Sequence, residues 1–277
     1  MKRCFGRVVV AAVVCWISGL ALCLNAAAGD IAIYGDSQHD PAAQRKVVAA
    51  IAQVRPGVVF RVGDMVDNGN DPKLWEAFDR IAQPLLTTAE YFPVLGNHEQ
   101  ESPLYFAHFP QIKGQRWYSV ERAGVHVAVL DSNADLTPGS EQYAWLEADL
   151  KGVKPAVKFT VVIFHHPLFD VGRHQADEKG LKPALLPLLL KYRVSAVFSG
   201  HDHNYQRFEH DGLYFIVTGG GGSNLDDKQR DNPDLIKFQK AYHFCLLTPE
   251  DAFLNVKVLD VNQHLIDEFQ APSRKRD

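Results

Sequence analysis

The strongest constraint on this chain is a series of short, largely apolar runs, each ending in a polar or glycine-rich corner. They fall at 31–34, 58–62, 91–95, 125–130, 159–164, 195–198 and 213–217 and are rich in Val, Ile and Phe. A half-exposed strand alternates apolar and polar residues, so a continuous run marks a strand buried on both faces. Helix-like stretches lie between many of the runs, at 41–54 with Pro41 at its opening, 74–81, 141–150 and 181–191. Strands alternating with helices predict an α/β fold with substantial parallel pairing. Residues 117–120 and 125–130, with Ala123-Gly124 between them, predict a hairpin added to that core. In the last quarter, runs at 243–247, 253–259 and 265–269 are separated only by turns, which predicts a closing antiparallel meander. With no linker and no internal repeat, the 277 residues read as one domain.

Residues 1–28 stand apart from this pattern. Lys2, Arg3 and Arg7 make a basic end, 8–24 is apolar apart from Ser18 and Gly19, and Ala26-Ala27-Ala28 supplies small residues. That is the layout of a secretory signal peptide, with cleavage expected after Ala28; retention as a membrane anchor is the alternative. Leu22 is too bulky for Cys23 to be a lipid-attachment site. The expected location is therefore periplasmic or secreted. Removing 1–28 takes away three basic residues and no acidic ones, so the formal charge falls from −4 to −7. Such a surface excludes a protein built to grip nucleic acid or anionic lipid through a basic face. Three of the four cysteines also leave, and Cys245, inside an apolar run, is expected to be a buried inert thiol.

The corners after the strands hold an unusual set of side chains: Gly35-Asp36-Ser37-Gln38, Gly63-Asp64-Met65-Val66-Asp67-Asn68-Gly69, Gly96-Asn97-His98-Glu99, His165-His166-Pro167 and Gly200-His201-Asp202-His203. Ligands of α/β sheets bind beyond the carboxyl ends of the strands, and Asp, Asn and His together suit a divalent or trivalent metal ion. Any one corner alone reads as an ordinary turn. A Gly-Asn-His-acid tetrapeptide is expected by chance in roughly one chain of this length in several hundred. Four further metal-ligand corners in matching positions rule out accident.

With these motifs, spread from Asp36 to Arg207, the chain resembles the calcineurin-like metallophosphoesterase superfamily, closest in style to its purple-acid-phosphatase-like members. The resemblance implies a β-sandwich of mixed sheets flanked by helices and a centre of two metal ions (Fe, Zn or Mn). By the same resemblance Asp36 and His203 hold the first ion, Asp64 bridges both, and Asn97, His165 and His201 hold the second. His98 matches the catalytic histidine, and Asp67 the carboxylate that orients it in the phosphoprotein-phosphatase branch. Three positions depart from the family pattern. Gln38 replaces the usual His or Gly, and its amide oxygen is a weaker candidate ligand. Asp67 stands where purple members carry a tyrosine, and Asn68 where protein phosphatases carry an arginine.

Phosphate esters are anionic, and two ions bridged by a carboxylate offset charge and activate water. The implied reaction is hydrolysis of phosphate monoesters of a small phosphorylated substrate by dimetal-bound hydroxide, with His98 serving the leaving oxygen. The alternatives are a phosphodiesterase acting on cyclic nucleotides, nucleic-acid ends or phospholipid head groups, and a non-catalytic metal-binding scaffold. His166 is a candidate for touching substrate, with a hydrogen bond that supports the ligands as the favoured reading, and Arg207 is a candidate either for clamping phosphate or for an ion pair that supports the histidine pair. His39 is the alternative to Gln38 as a ligand, but as its neighbour on an extended corner it is expected to point away from the ligands. The run 219–222 is read as a tight corner near the site, and loops 103–115, 172–180 and 224–240 as the seat of specificity. His108, His126, His174, His210, His243 and His264 carry no functional pattern.

Overall fold

A computed structural model describes residues 29–273; the expected signal segment lies outside the described residues. The chain runs β1 (Ile31–Tyr34), α1 (Pro41–Val54), β2 (Val58–Arg61), α2 (Pro72–Leu86), β3 (Glu90–Pro93) and α3 (Pro103–His108). It continues through β4 (Tyr118–Arg122), β5 (Val125–Val129), α4 (Glu141–Gly152), β6 (Phe159–Ile163), α5 (Lys182–Lys191) and β7 (Ala196–Ser199). It ends in β8 (Tyr205–His210), β9 (Leu213–Thr218), β10 (Leu235–Gln239), β11 (His243–Pro249), β12 (Phe253–Asp260) and β13 (Leu265–Pro272). Among the described residues no helix is long and apolar enough to cross a membrane.

Two mixed sheets result. The first has the order β13-β12-β11-β1-β2-β3 and the second β10-β8-β9-β7-β6-β5-β4. Parallel pairing joins β1, β2 and β3 in the first sheet, and β5, β6, β7 and β9 in the second. The expected meander is β11–β12–β13, which joins the first sheet through the antiparallel β1–β11 pair. The hairpin is β4–β5.

The apolar runs are continuous because each central strand feeds two cores. Val125, Val127 and Val129 of β5, Val161 and Ile163 of β6, and Phe198 of β7 pack into the core shared with the first sheet. The intervening Ala128, Val162 and Val197 face Leu146, Leu150, Leu185 and Leu189 of α4 and α5. Side chains alternate across a strand, so a layer on each face leaves few positions for polar residues, and those that enter, such as His126 and Thr160, are buried. Most polar groups therefore collect at the strand ends.

Caps start the helices where the corners finish. Asp40 Oδ1 accepts from the Ala42 and Ala43 amides at 2.9 and 3.1 Å, with Pro41 following. Asp71 and Ser140 cap α2 and α4 in the same way. Helix α2 outruns the expected 74–81 and passes through Pro84 to Leu86, its last turn held by Thr87 and Thr88 bonding back to the 83 and 84 carbonyls. Strands β8 and β10 and helix α3 arise from mixed sequences that carry no continuous run.

Polar ties join the two sheets. Thr218 Oγ1 of β9 lies 3.0 Å from His243 Nε2 of β11, Arg207 of β8 forks onto Asp267 of β13, and the Tyr118 hydroxyl donates to the Pro93 carbonyl at 2.6 Å. Cys245 is buried, as expected of an inert thiol. Burial pushes the His243 imidazole down to about 4 from an ordinary 6.5. The folded state binds this proton more weakly than the unfolded state, so the stabilisation is complete above pH 6.5 and is lost as pH falls towards 4. The stability difference between the native chain and His243→Gln is expected to shrink by at most about 3 kcal/mol between pH 7 and pH 4 in denaturant titrations. A difference independent of pH would show that His243 is not held neutral by the fold.

Candidate metal centre

The five corners converge because each follows a parallel strand, three from the first sheet (β1, β2, β3) and two from the second (β6, β7). Asp36, Asp64 and His201 all have left-handed backbones, with φ of 60°, 50° and 73°. Non-glycine residues adopt this region at a cost of order 1–3 kcal/mol, and such residues cluster at functional sites. Here the reversed backbone aims three side chains at one point. Glycine is required alongside: a Cβ on Gly200 would lie 2.3 Å from Asp36 Oδ2, and one on Gly63 (φ 94°) 2.6 Å from His165 Nδ1.

Carboxylates lock the corners together through backbone amides. Asp36 Oδ1 accepts from the His201 amide at 2.9 Å and Asp64 Oδ1 from the His98 amide at 3.1 Å. Glu99, fully buried, accepts from the amides of Asp64, Met65 and Gly96 at 2.9, 2.7 and 2.7 Å. The expected tight corner at 219–222 closes on Asp36, whose carbonyl accepts from the Ser223 amide.

The histidine tautomers follow from their outward partners. His165 Nδ1 is 2.8 Å from the Val62 carbonyl and His203 Nδ1 2.9 Å from the Asn224 carbonyl. A carbonyl only accepts, so both rings carry a proton on Nδ1 and turn Nε2 inward as the nitrogen left to bind a metal. His201 is reversed: its Nε2 meets Glu178 Oε2 at 3.3 Å, leaving Nδ1 to face inward. Metal-binding histidines are held by such partners on the far nitrogen.

The inward atoms lie close together. His165 Nε2 is 3.0 Å from Asn97 Oδ1, 3.2 Å from Asp64 Oδ2 and 3.2 Å from His201 Nδ1. Two donors at about 2.1 Å from one ion, at tetrahedral or octahedral angles, lie about 3.0–3.4 Å apart. The expected second-ion set thus has the spacing of ligands around one centre. On the first-ion side, His203 Nε2 is 3.9 Å from Asp36 Oδ1, and Asp36 Oδ2 is buried without a hydrogen-bond partner. Asp36, Asp64 and His165 offer one ligand atom each within 4.8 Å of one another.

The electrostatics call for positive charge. Burial raises the Asp36 carboxyl well above its usual range, with His165 opposing and Asp64 reinforcing that shift. Burial also opposes ionisation of Asp64, but the charge of His165 outweighs it and holds this carboxyl below its usual range. Burial disfavours the His165 cation, yet Asp64 beside it raises the imidazole to about 10. A cation bound among these groups supplies the same compensation, and the residues fit a metal centre.

His98 keeps 28% of its side chain exposed, whereas His165 and Asp64 are sealed at 0% and 2%. Its Nδ1 lies 2.8 Å from the Asp67 carbonyl and 3.3 Å from Asp67 Oδ1, and its Nε2 looks towards Asp64 Oδ2 at 3.9 Å. The expected pairing of His98 with Asp67 is present at the mouth.

Three expectations are corrected by these positions. Gln38 lies at the centre, but its Nε2 faces His203 Nε2 and Asp64 Oδ2 at 3.3 and 3.4 Å, while its oxygen accepts from Ser223 Oγ at 2.6 Å. In this rotamer it presents a donor; ligation requires a half-turn of the amide, with Ser223 accepting instead. His166 is 1% exposed, pairs with Ser132 Oγ at 2.8 Å and packs its ring on His201, so it stands behind a ligand in the supporting position. Arg207 is committed to Asp267 and to the ring of Phe269, and clamps the sheets together rather than a phosphate.

Other participants do not disclose their role in the sequence. Glu99 is legible only as the acid that ends its corner, and Arg61, inside an otherwise apolar run, is fully buried, bonds Ser37 and the Asp64 carbonyl, and stacks 4.3 Å over Tyr34. His174 stacks on His201 with ring centroids 3.8 Å apart. Loops 172–180 and 224–240 thus supply His174, Glu178 and the Asn224 carbonyl to the site.

Residues 29–205 match the calcineurin-like phosphoesterase family. The chain belongs to that family. Among curated relatives it is 33% identical over 198 residues to the probable purple acid phosphatase 20 of Arabidopsis thaliana, covering 61% of this chain and 46% of that one. Its fold is similar to purple acid phosphatase PPD1 from yellow lupin (TM-score 0.78, 20% identity, 88% of this chain and 53% of that one). It is also similar to GAP50, the anchor in the inner membrane complex of Plasmodium (TM-score 0.76, 19% identity, 90% of each chain). The matched stretch spans less than half the length of that Arabidopsis relative and of similar curated relatives.

Glu99→Gln removes one of two carboxylate oxygens that organise the corners without itself facing the centre. Zinc affinity in calorimetric titration is expected to fall about 10–100-fold, and further in Asp64→Asn, where both ions lose their shared ligand. Unchanged affinity in Glu99→Gln would refute its positioning role.

Proposed function

We propose that the chain is an exported metal-dependent phosphoesterase that hydrolyses phosphate monoesters. The observation that carries this reading is two ligand sets sharing Asp64, with His98 held at the open side by Asp67. Asp36, Asp64, His203 and, after an amide turn, Gln38 would hold one ion; Asp64, Asn97, His165 and His201 would hold the other. When bound, the two ions supply charge neutralisation of the ester and activation of water.

The residues of the chain have distinct tasks. Val62, Asn224 and Glu178 fix the three imidazole tautomers from outside, so the ligands are preorganised. Asp67 orients His98 through its carbonyl and carboxylate, which directs Nε2 to the side where a leaving oxygen departs. Neutral Asn and His ligands keep the site cationic inside an acidic protein, and a cationic site attracts an anionic ester. The names of the curated relatives favour phosphatase over phosphodiesterase chemistry, and the likeness to GAP50 carries the fold alone. Export is supported by the three-part segment at 1–28.

With Mn, Zn or Fe supplied, p-nitrophenyl phosphate is expected to be hydrolysed at least about tenfold faster than bis(p-nitrophenyl) phosphate. His98→Ala should lower kcat by about 10²–10⁴-fold and leave the metal content intact. Preference for the diester would move the chain to the phosphodiesterase alternative. Inertness towards both esters with two ions bound would favour the scaffold reading.

A further inference from the structure

His39 does not point away from the site. Its Nε2 lies 3.0 Å from Asp67 Oδ1, the same oxygen that lies 3.3 Å from His98 Nδ1. One atom each from His39, Asp67 and His98 falls within 4.8 Å of the others. The His39 ring stands edge-on to His98 at 5.7 Å and to His203 at 6.0 Å, so it bridges the mouth between the two. Its corner is fixed from behind by Asp40, the cap of α1.

We propose that His39, Asp67 and His98 form a third, inhibitory metal site for a borderline divalent ion, with Zn2+ as the ligand. The separations of 3.0 and 3.3 Å are those of donors around one ion at about 2.1 Å. Two imidazoles and one carboxylate suit zinc better than magnesium or calcium, which prefer all-oxygen sets. Three protein ligands with an open fourth position complete a tetrahedral site with water. Unlike the buried centre, this triad opens to solvent, with the Asp67 side chain 54% exposed. It therefore exchanges ions with the medium.

Coordination through His98 Nδ1 displaces the hydrogen bond to the Asp67 carbonyl and moves the ring proton to Nε2. The same event takes the Asp67 carboxylate away from His98. Occupancy thus withdraws both mouth residues from the reaction. The inhibitory part rests on the proposed phosphoesterase reading; the binding part does not.

The test is a zinc titration of the full chain by calorimetry and bound-metal analysis, alongside His39→Asn and Asp67→Asn. The native chain is expected to bind three zinc ions and each variant two. In esterase assays, His39→Asn should keep the activity seen at two equivalents of zinc, and inhibition by excess zinc should move at least about tenfold higher in concentration. Two ions on the native chain, or three on His39→Asn, would overturn the site. An esterase inhibited by zinc equally in native and His39→Asn forms would overturn the inhibitory role. Three ions falling to two in a chain inert towards every ester would uphold the third site while the phosphoesterase reading failed.

Discussion

Two carboxylates, Asp36 and Asp64, are held almost wholly out of water at the junction of two sheets. Isolated ions in such surroundings are unstable by several kcal/mol each, even after relaxation. Amide donors meet only part of the demand: the His201 amide serves Asp36 and the His98 amide serves Asp64. One oxygen of Asp36 has no hydrogen-bond partner at all. The site requires cations, and it is shaped to hold them, because the surrounding imidazoles and the Asn97 amide carry no net charge in their ligating forms.

Much of the rest follows from this requirement. Left-handed backbones at Asp36, Asp64 and His201 are tolerated because the corners are cross-bonded, with Glu99 collecting three amides from two of them. Buried Arg61 adds a fixed positive charge beneath the Asp64 corner. The two apolar cores concentrate polar side chains at the strand ends, and the parallel strands bring five of those ends to one place.

That logic explains which parts of the fold could be read from the sequence. Runs such as 159–164 announce doubly buried strands, and the polar corner after each announces where ligands gather. Strand β8 was illegible because Gln206, Arg207 and Glu209 interrupt any run, and its place is set by pairing with β9. The division into two sheets is implied by the family resemblance and not by the runs themselves, since a run apolar on both faces does not say whether helix or sheet covers it. Within the site, residue identity disclosed the ligands but not the supports. Glu99 looks like any acid following a histidine, and Glu178 and Asn224 act from distant loops. Gln38, His39, His166 and Arg207 show the limit most clearly, because each role depends on a rotamer or a partner that sequence neighbours do not disclose.

The most direct measurement is a crystal structure of the chain loaded with two equivalents of zinc, with anomalous data collected at the zinc edge. The account predicts two peaks on either side of Asp64, one within bonding distance of Asp36 and His203, the other of Asn97, His165 and His201. A single peak, or peaks that leave Asp64 unshared, would contradict it.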